Sequence, residues 1–288
     1  MTLPNLAQFL QAGSGGQAPS GLSNVAMTSI TLGASNHTKG SYVQLAASAP
    51  WEASGVIFGC FDTGGSVDTD ILADIAVGSS GNEWPVLENL RLFNHRVGGL
   101  GSQIDVKSGY YFPIYIPSGA RVSARAQANN AASGKTPRLC ATFLRGGAAF
   151  RGGSRVLGLG ADTANTRGTS LPTTGTSAWT AWTQLEASCP ADVIAIRAVM
   201  LPNLTGSAPF SGRVALDIGI GASGSEHPLV ERLTISHASG NYQSNCTPYT
   251  GGWLPCRIPA GARLTARAKV QSSSYSVDVN VIVYGLVA

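Results

Sequence analysis

Apolar residues along this chain recur mainly at every second position. They fall in short runs separated by Gly, Ser, Pro and Asn, a period that predicts strands. Ala120, Val122, Ala124 and Ala126 alternate with Arg121, Ser123, Arg125 and Gln127, which gives one small apolar face and one polar face. Val277, Val279, Val281 and Val283 alternate in the same way with Asp278, Asn280, Ile282 and Tyr284. Helical spacing fits Pro4 to Ala12, where Leu6, Phe9 and Leu10 share a face and Gly13 is a stop. Such a segment is too short to hold a helix by itself in water, so two readings stay open: a docking arm for another subunit, or a helix folded back onto its own first domain. The Gly- and Ser-rich residues up to Gly21 then read as a flexible tether.

The strand patterns occur twice. I-P-x-G-A-R-x-x-A-R-A begins at Ile116 and again at Ile258, so Arg121 and Arg125 are matched by Arg263 and Arg267. In each copy a Pro-x-Gly turn feeds the strand. Upstream, D-I-x-x-G-x-S-G-x-E-x-P begins at Asp74 and at Asp217, and carries Glu83 and Glu226 at the same place. Q-L-x-A-S-x-P begins at Gln44 and Gln184, with an aromatic residue, Tyr42 or Trp182, two positions before. An L-G-A followed by T-K-G or T-R-G, starting at Leu32 and Leu159, is taken as the opening match. That alignment assigns Thr169–Ala181 to an insertion in the second copy.

Repeats of this length are duplicated domains rather than a solenoid. The expected organisation is an N-terminal arm (1–24), a first domain (25–148) and a second (149–288), joined through a Gly-rich stretch at 145–153. About eight strands per repeat and no long helix predict an all-β chain of two tandem jelly-roll-like β-sandwich domains with a short N-terminal arm.

Composition fits that reading. The chain has 288 residues, 43% hydrophobic and 12% charged, which is too apolar and too weakly charged for a disordered polymer. The formal charge of +4 is spread without a basic run, so no nucleic-acid partner is expected. No stretch approaches the ~20 apolar residues that span a bilayer, and no membrane insertion is expected. The N-terminus lacks the charged and apolar regions of a secretory signal, so synthesis in the cytoplasm is expected.

Arginine dominates the basic residues; the lysines are Lys39, Lys107, Lys135 and Lys269. Arginine suits planar pairing with carboxylates. Two readings stay open for Arg121, Arg125, Arg263 and Arg267 with Asp74, Asp217, Glu83 and Glu226. They either bridge strands as scaffold or pair across a homo-oligomeric interface. The five cysteines form no C-x-x-C or Cys/His ligand spacing, so neither a metal nor a cofactor is expected. Most of the cysteines are expected to be reduced small hydrophobes; a pair between Cys246 and Cys256 across a loop is the alternative.

Candidate chemistry narrows further. Gly219-x-Gly221-x-x-Gly224 matches a dinucleotide fingerprint in form only, because Pro228 and a strand-like continuation leave no helix to receive a pyrophosphate. The duplicated carboxylates have the residue types of a glycosidase pair. Their presence in both copies points instead to a requirement of the fold, and no catalytic residue is assigned. Histidines share no ligand spacing, and no G-x-S-x-G elbow occurs.

Binding is sought where the copies disagree. These places are Asp62–Asp68 against Leu201–Gly212, and Phe93–Ser108 against Ser236–Gly251. Asn241, Tyr242, Asn245, Tyr249 and Trp253 combine amides with aromatic faces, the make-up of a glycan-binding loop; an ordinary polar surface loop is the alternative.

The D-I-x-x-G-x-S-G-x-E-x-P and I-P-x-G-A-R-x-x-A-R-A motifs together resemble those of virion proteins of tailed bacteriophages and related gene transfer agents. The resemblance covers both repeats but not the arm. It implies a non-enzymatic head spike, fibre or decoration protein with jelly-roll domains, located in the virion, of a kind that in some cases binds host capsular polysaccharide. Expected partners are further copies of the chain, other virion proteins met through Leu6, Phe9 and Leu10, and host-surface polysaccharide. Rival expectations are a carbohydrate-active enzyme or carbohydrate-binding module, and a purely architectural capsid or tail protein.

Overall fold

A computed structural model describes residues 10–12, 27–63, 70–92, 110–131, 136–145, 153–161, 166–173, 178–203, 212–237, 249–250, 252–271 and 278–288. Among these the regular structure is β, with no α-helix. Described residues up to Leu157 form one compact unit and those from Gly158 to Val287 a second.

The first unit contains β1 (Leu10–Ala12), β2 (Thr28–Ser29), β3 (Val43–Ala46), β4 (Gly55–Thr63) and β5 (Ile71–Val77). It continues with β6 (Trp84–Leu92), β7 (Tyr110–Phe112), β8 (Val122–Ala128) and β9 (Thr136–Leu144), and β10 (Arg155–Leu159) begins in it, with Gly158 and Leu159 already counted in the second unit. One sheet has the order β2-β9-β4-β7 and the other β3-β8-β5-β6. The pairings are nested: β2 with β9, β3 with β8, β4 with β7 and β5 with β6. Eight strands wound as one long hairpin and folded into two layers make a jelly roll.

The second unit repeats this order. It holds β11 (Thr169–Pro172), β12 (Thr183–Glu186), β13 (Val193–Asn203), β14 (Gly212–Ile220) and β15 (His227–His237). It ends with β16 (Tyr249–Thr250), β17 (Leu254–Ile258), β18 (Leu264–Gln271) and β19 (Asp278–Val287). Its sheets are β11-β19-β13-β16, with β17 also on β13, and β12-β18-β14-β15.

The opening of each repeat corrects the sequence alignment. Gly40 N donates to Ala126 O at 2.9 Å, and Thr180 N to Ala268 O at 2.8 Å. Ala126 and Ala268 are the same position of the repeated motif, so Lys39 corresponds to Trp179. Thr28, on β9, and Thr169, on β19, each start the outermost strand of their unit. Thr169–Ala181 is therefore the counterpart of 28–41 and not an insertion, and the L-G-A at Leu159 starts on the last residue of the extra strand β10. A three-residue Gly-containing pattern is too common among sandwich turns to fix a register.

The repeated turn follows directly from its residues. Ala120 N donates to Pro117 O at 3.2 Å and Ala262 N to Pro259 O at 3.1 Å. Gly119 (φ 79) and Gly261 (φ 81) take the left-handed position that such turns reserve for glycine. Beyond it, Val122, Ala124 and Ala126 are 0–1% exposed, as are Leu264, Ala266 and Ala268. The opposite, polar face of β8 is covered too, because Ser123 and Gln127 are buried. Simple alternation predicts that face to be in water.

The arm also departs from expectation at its end. Leu10–Ala12 is strand, antiparallel to β9 with Leu10 opposite Phe143. Adding to an open sheet edge satisfies backbone groups that a short isolated helix leaves bare. Leu6 and Phe9 lie outside the described residues.

Candidate functional site

A cluster of charges and aromatic rings on the polar face of β8 and β18 gathers most of the duplicated residues. It begins with a backbone irregularity. Ala73 pairs with Leu90 and Ile75 with Leu87, so both Glu88 and Asn89 face the single residue Asp74. Leu216 pairs with Leu233 and Ile218 with Val230, which sets Glu231 and Arg232 against Asp217. The second bulge residue is left-handed in both units, Asn89 at φ 53 and Arg232 at φ 54. Its N–H turns out of the ladder and donates to the aspartate, at 3.0 Å for Asn89 to Asp74 and 2.8 Å for Arg232 to Asp217.

The aspartate is directly opposite an arginine of the repeated motif. Arg125 Nε donates to Asp74 at 2.9 Å, and Arg267 Nε to Asp217 at 2.8 Å. A carboxylate that accepts a bulge N–H and is neutralised by a cross-strand guanidinium has a complete structural role.

Glu83 and Glu226 do comparable work at the preceding turn. Each accepts the N–H of a turn glycine, Gly81 or Gly224, at 2.9 Å. Each is also held at 3.0 Å by an arginine, Arg121 or Arg263. Those arginines go on to Gly78 O and Gln44, and to Gly221 O and Gln184. The hydrogen bond from Arg263 holds Glu226 below the usual carboxylate range. All eight residues expected as interface or scaffold thus have partners within their own unit.

The copies differ in what covers the arginine. In the first unit Arg125 sits 4.7 Å from the centre of the Tyr42 ring, and Lys39 Nζ reaches Asp74 at 2.8 Å and Asn89 Oδ1 at 2.9 Å. Burial lowers the Lys39 pKa although Asp74 opposes it. Burial pushes the Tyr42 hydroxyl up to about 12, and this hydroxyl has no hydrogen-bond partner among the described residues.

In the second unit Arg267 lies 4.9 Å from the Trp179 ring and 4.5 Å from the Trp182 ring. The larger indole is matched beneath. A Cβ on Gly219 would stand 3.0 Å from the Trp182 ring, and the residue at the corresponding register position of the first unit is Ala76. Thr265 Oγ1 donates to Gly219 O at 3.1 Å, a bond that its counterpart Ser123 lacks among the described residues.

Sequence reasoning noticed Tyr42 and Trp182 but missed Lys39, Trp179 and the two bulge residues. The W-x-x-W spacing of Trp179 and Trp182 was the available signal. Of the glycan-loop candidates, Asn241, Tyr242 and Asn245 lie outside the described residues. Tyr249 is in β16, and Trp253, half-buried, immediately precedes β17. Cys246 is likewise outside, while Cys140, Cys189 and Cys256 are free thiols pushed up in pKa by burial. Among the described residues no group of three or more His, Cys, Asp and Glu could hold a metal ion, and no helix is long and apolar enough to cross a membrane.

No family model matches this chain, and no curated protein matches it. Solved structures that resemble it include PNGF-II in two crystal forms. In the C2 form identity is 11% and the TM-score 0.38, with 98% of this chain and 66% of that one covered. In the P21 form the values are 12% and 0.42, with the same coverage, so this chain spans just under two thirds of PNGF-II. The tandem CBM22-1–CBM22-2 domain of Paenibacillus barcinonensis Xyn10C resembles it at 9% identity and a TM-score of 0.25, with 88% of this chain and 85% of that one covered.

Proposed function

We propose that this chain is a structural component of a phage-like particle, a head spike, fibre or decoration protein, and that its second jelly roll contacts host-surface glycan. The observation that carries this reading is how the duplicated carboxylates are used. Asp74, Asp217, Glu83 and Glu226 each meet an arginine of their own unit and a backbone N–H. A general acid in glycoside hydrolysis needs a carboxyl raised toward neutrality, and Glu226 is held the other way. The residues kept in both copies therefore support a sandwich made for display rather than turnover.

Support for binding comes from where the copies diverge. Trp179 and Trp182 offer two indoles where the first unit has Lys39 and Tyr42, and an indole face stacks well on a sugar ring. The chain would be carried on the particle through its N-terminal arm.

Incubation of the full chain with host capsular polysaccharide tests this reading. The expected result is retention of the polymer without release of oligosaccharide, weakened about tenfold by Trp179→Ala or Tyr242→Ala. Release that Glu226→Gln abolishes supports a carbohydrate-active enzyme. Absence of retention supports a purely architectural particle protein.

A further inference from the structure

The two units share their strands but not the state of one edge. In the first unit, residues 153–156 are strapped across the side where the two sheets end. Gly153 N donates to Pro113 O at 2.8 Å, and Tyr115 N donates to Gly153 O at 3.0 Å, on the β7 side. Two residues later Arg155 meets Glu88 at 2.9 Å, and Val156 pairs in parallel with Leu87 on β6. Beneath this strap Val86, Leu87 and Leu90 are 0–3% exposed, and Pro113 is buried.

The same edge of the second unit has equivalent apolar residues and the same carboxylate, and no strap among the described residues. Register fixes the correspondence: Leu87 is opposite Ile75 as Val230 is opposite Ile218. Among the described residues β15 is the terminal strand of its sheet. Leu229, Val230 and Leu233 are half-exposed where their counterparts are buried, Glu231 is exposed where Glu88 holds Arg155, and Pro255 is exposed where Pro113 is covered. An apolar band flanked by unpaired backbone and one carboxylate is a template for an added strand.

We propose that this edge of the second unit, from β15 to Pro255, docks an extended segment of another polypeptide. That segment lies parallel to β15, with apolar residues over Val230 and an arginine against Glu231, as residues 153–156 lie on the first unit. The charge argues for a foreign segment rather than a second copy's arm, since residues 1–26 contain neither lysine nor arginine. The inference is independent of glycan binding.

A labelled peptide of this chain's own residues 151–161 is the probe, titrated into the full-length protein and followed by fluorescence anisotropy. Expected is saturation at one site. Glu231→Gln in the protein, or Arg155→Gln in the peptide, weakens binding about five- to tenfold, the loss of one charge-assisted hydrogen bond. Val156→Pro in the peptide, which removes a ladder N–H, abolishes it. Glu88→Gln, on the covered edge, leaves it unchanged. Glu231 is exposed, so its substitution tests docking without threatening the fold. Absence of saturation, or binding indifferent to both charge substitutions, overturns the proposal. A concentration-dependent dimer in sedimentation that Glu231→Gln dissociates also overturns it, because the occupant is then a second copy.

Discussion

Asp74 and Asp217 occupy the same place in two copies of one fold, yet their surroundings are solved by different chemistry. Among the described residues Asp74 is shared by two cations, Lys39 and Arg125, whereas Asp217 pairs with Arg267, whose guanidinium lies against two tryptophan rings. What is common to both, the bulge N–H and the cross-strand arginine, is what the jelly roll needs. What differs is the covering layer, and that layer is free to take on recognition.

The largest effect that tests this separation is removal of the aspartate. Asp217→Ala leaves the Arg232 N–H without its acceptor and Arg267 without its counter-ion, at a cost of about 3 kcal/mol. The figure is at the low end for a buried pair because the Arg267 side chain keeps 31% of its exposure. Asp74→Ala is expected to cost more, since Lys39, only 10% exposed, is stranded together with Arg125. Part of that excess is recovered as pH rises, because a desolvated lysine can then shed its proton. Hydrogen exchange over β5–β8 and over β14–β18 gives the two local stabilities. Equal losses in the two units would show that Lys39 contributes nothing to the difference.

A second effect tests the fit between ring and floor. Gly219→Ala places a methyl 3.0 Å from the Trp182 ring and 2.9 Å from His227 O, and is expected to cost about 2 kcal/mol. Adding Trp182→Tyr recreates the Tyr42 and Ala76 pair of the first unit and should recover most of the loss. A double-mutant cycle measures the coupling. Additive losses would mean that the backbone contact, and not the indole, selects glycine here.

Much of this was legible in the chain itself. The period of two and the repeated motifs led to two tandem sandwiches, and the repetition of Asp74 and Glu83 pointed to a requirement of the fold. The covering layer was not legible, because it depends on register. Lys39 and Trp179 become counterparts only once Gly40 and Thr180 are seen bonding to the same position of the repeat. Asn89 and Arg232 look like ordinary strand residues until the bulge gives them a left-handed backbone. Local pattern reports alternation, but it does not report which strand a loop crosses or what covers a strand's second face, as Ser123 and Gln127 show.

The smallest effect isolates one hydroxyl. Tyr42→Phe keeps the ring that faces Arg125 at 4.7 Å and removes only an Oη with no partner among the described residues. Deleting a buried polar atom that makes no bond is expected to be neutral or to stabilise by less than about 1 kcal/mol at neutral pH. The sign with pH is sharper. Burial raises the folded pKa from 10.0 to about 12, so the folded state favours the protonated phenol. That contribution is fully present below pH 10.0 and is lost as pH climbs toward about 12. Wild-type first unit should therefore weaken over this range, and Tyr42→Phe should remove that part of the decline. The second unit has Trp182 at this position and nothing there to titrate, so its exchange rates, corrected for the intrinsic effect of pH, should show no matching step. An alkaline step of equal size in both units, or one that survives Tyr42→Phe, would assign the decline to other groups and place Tyr42 in water.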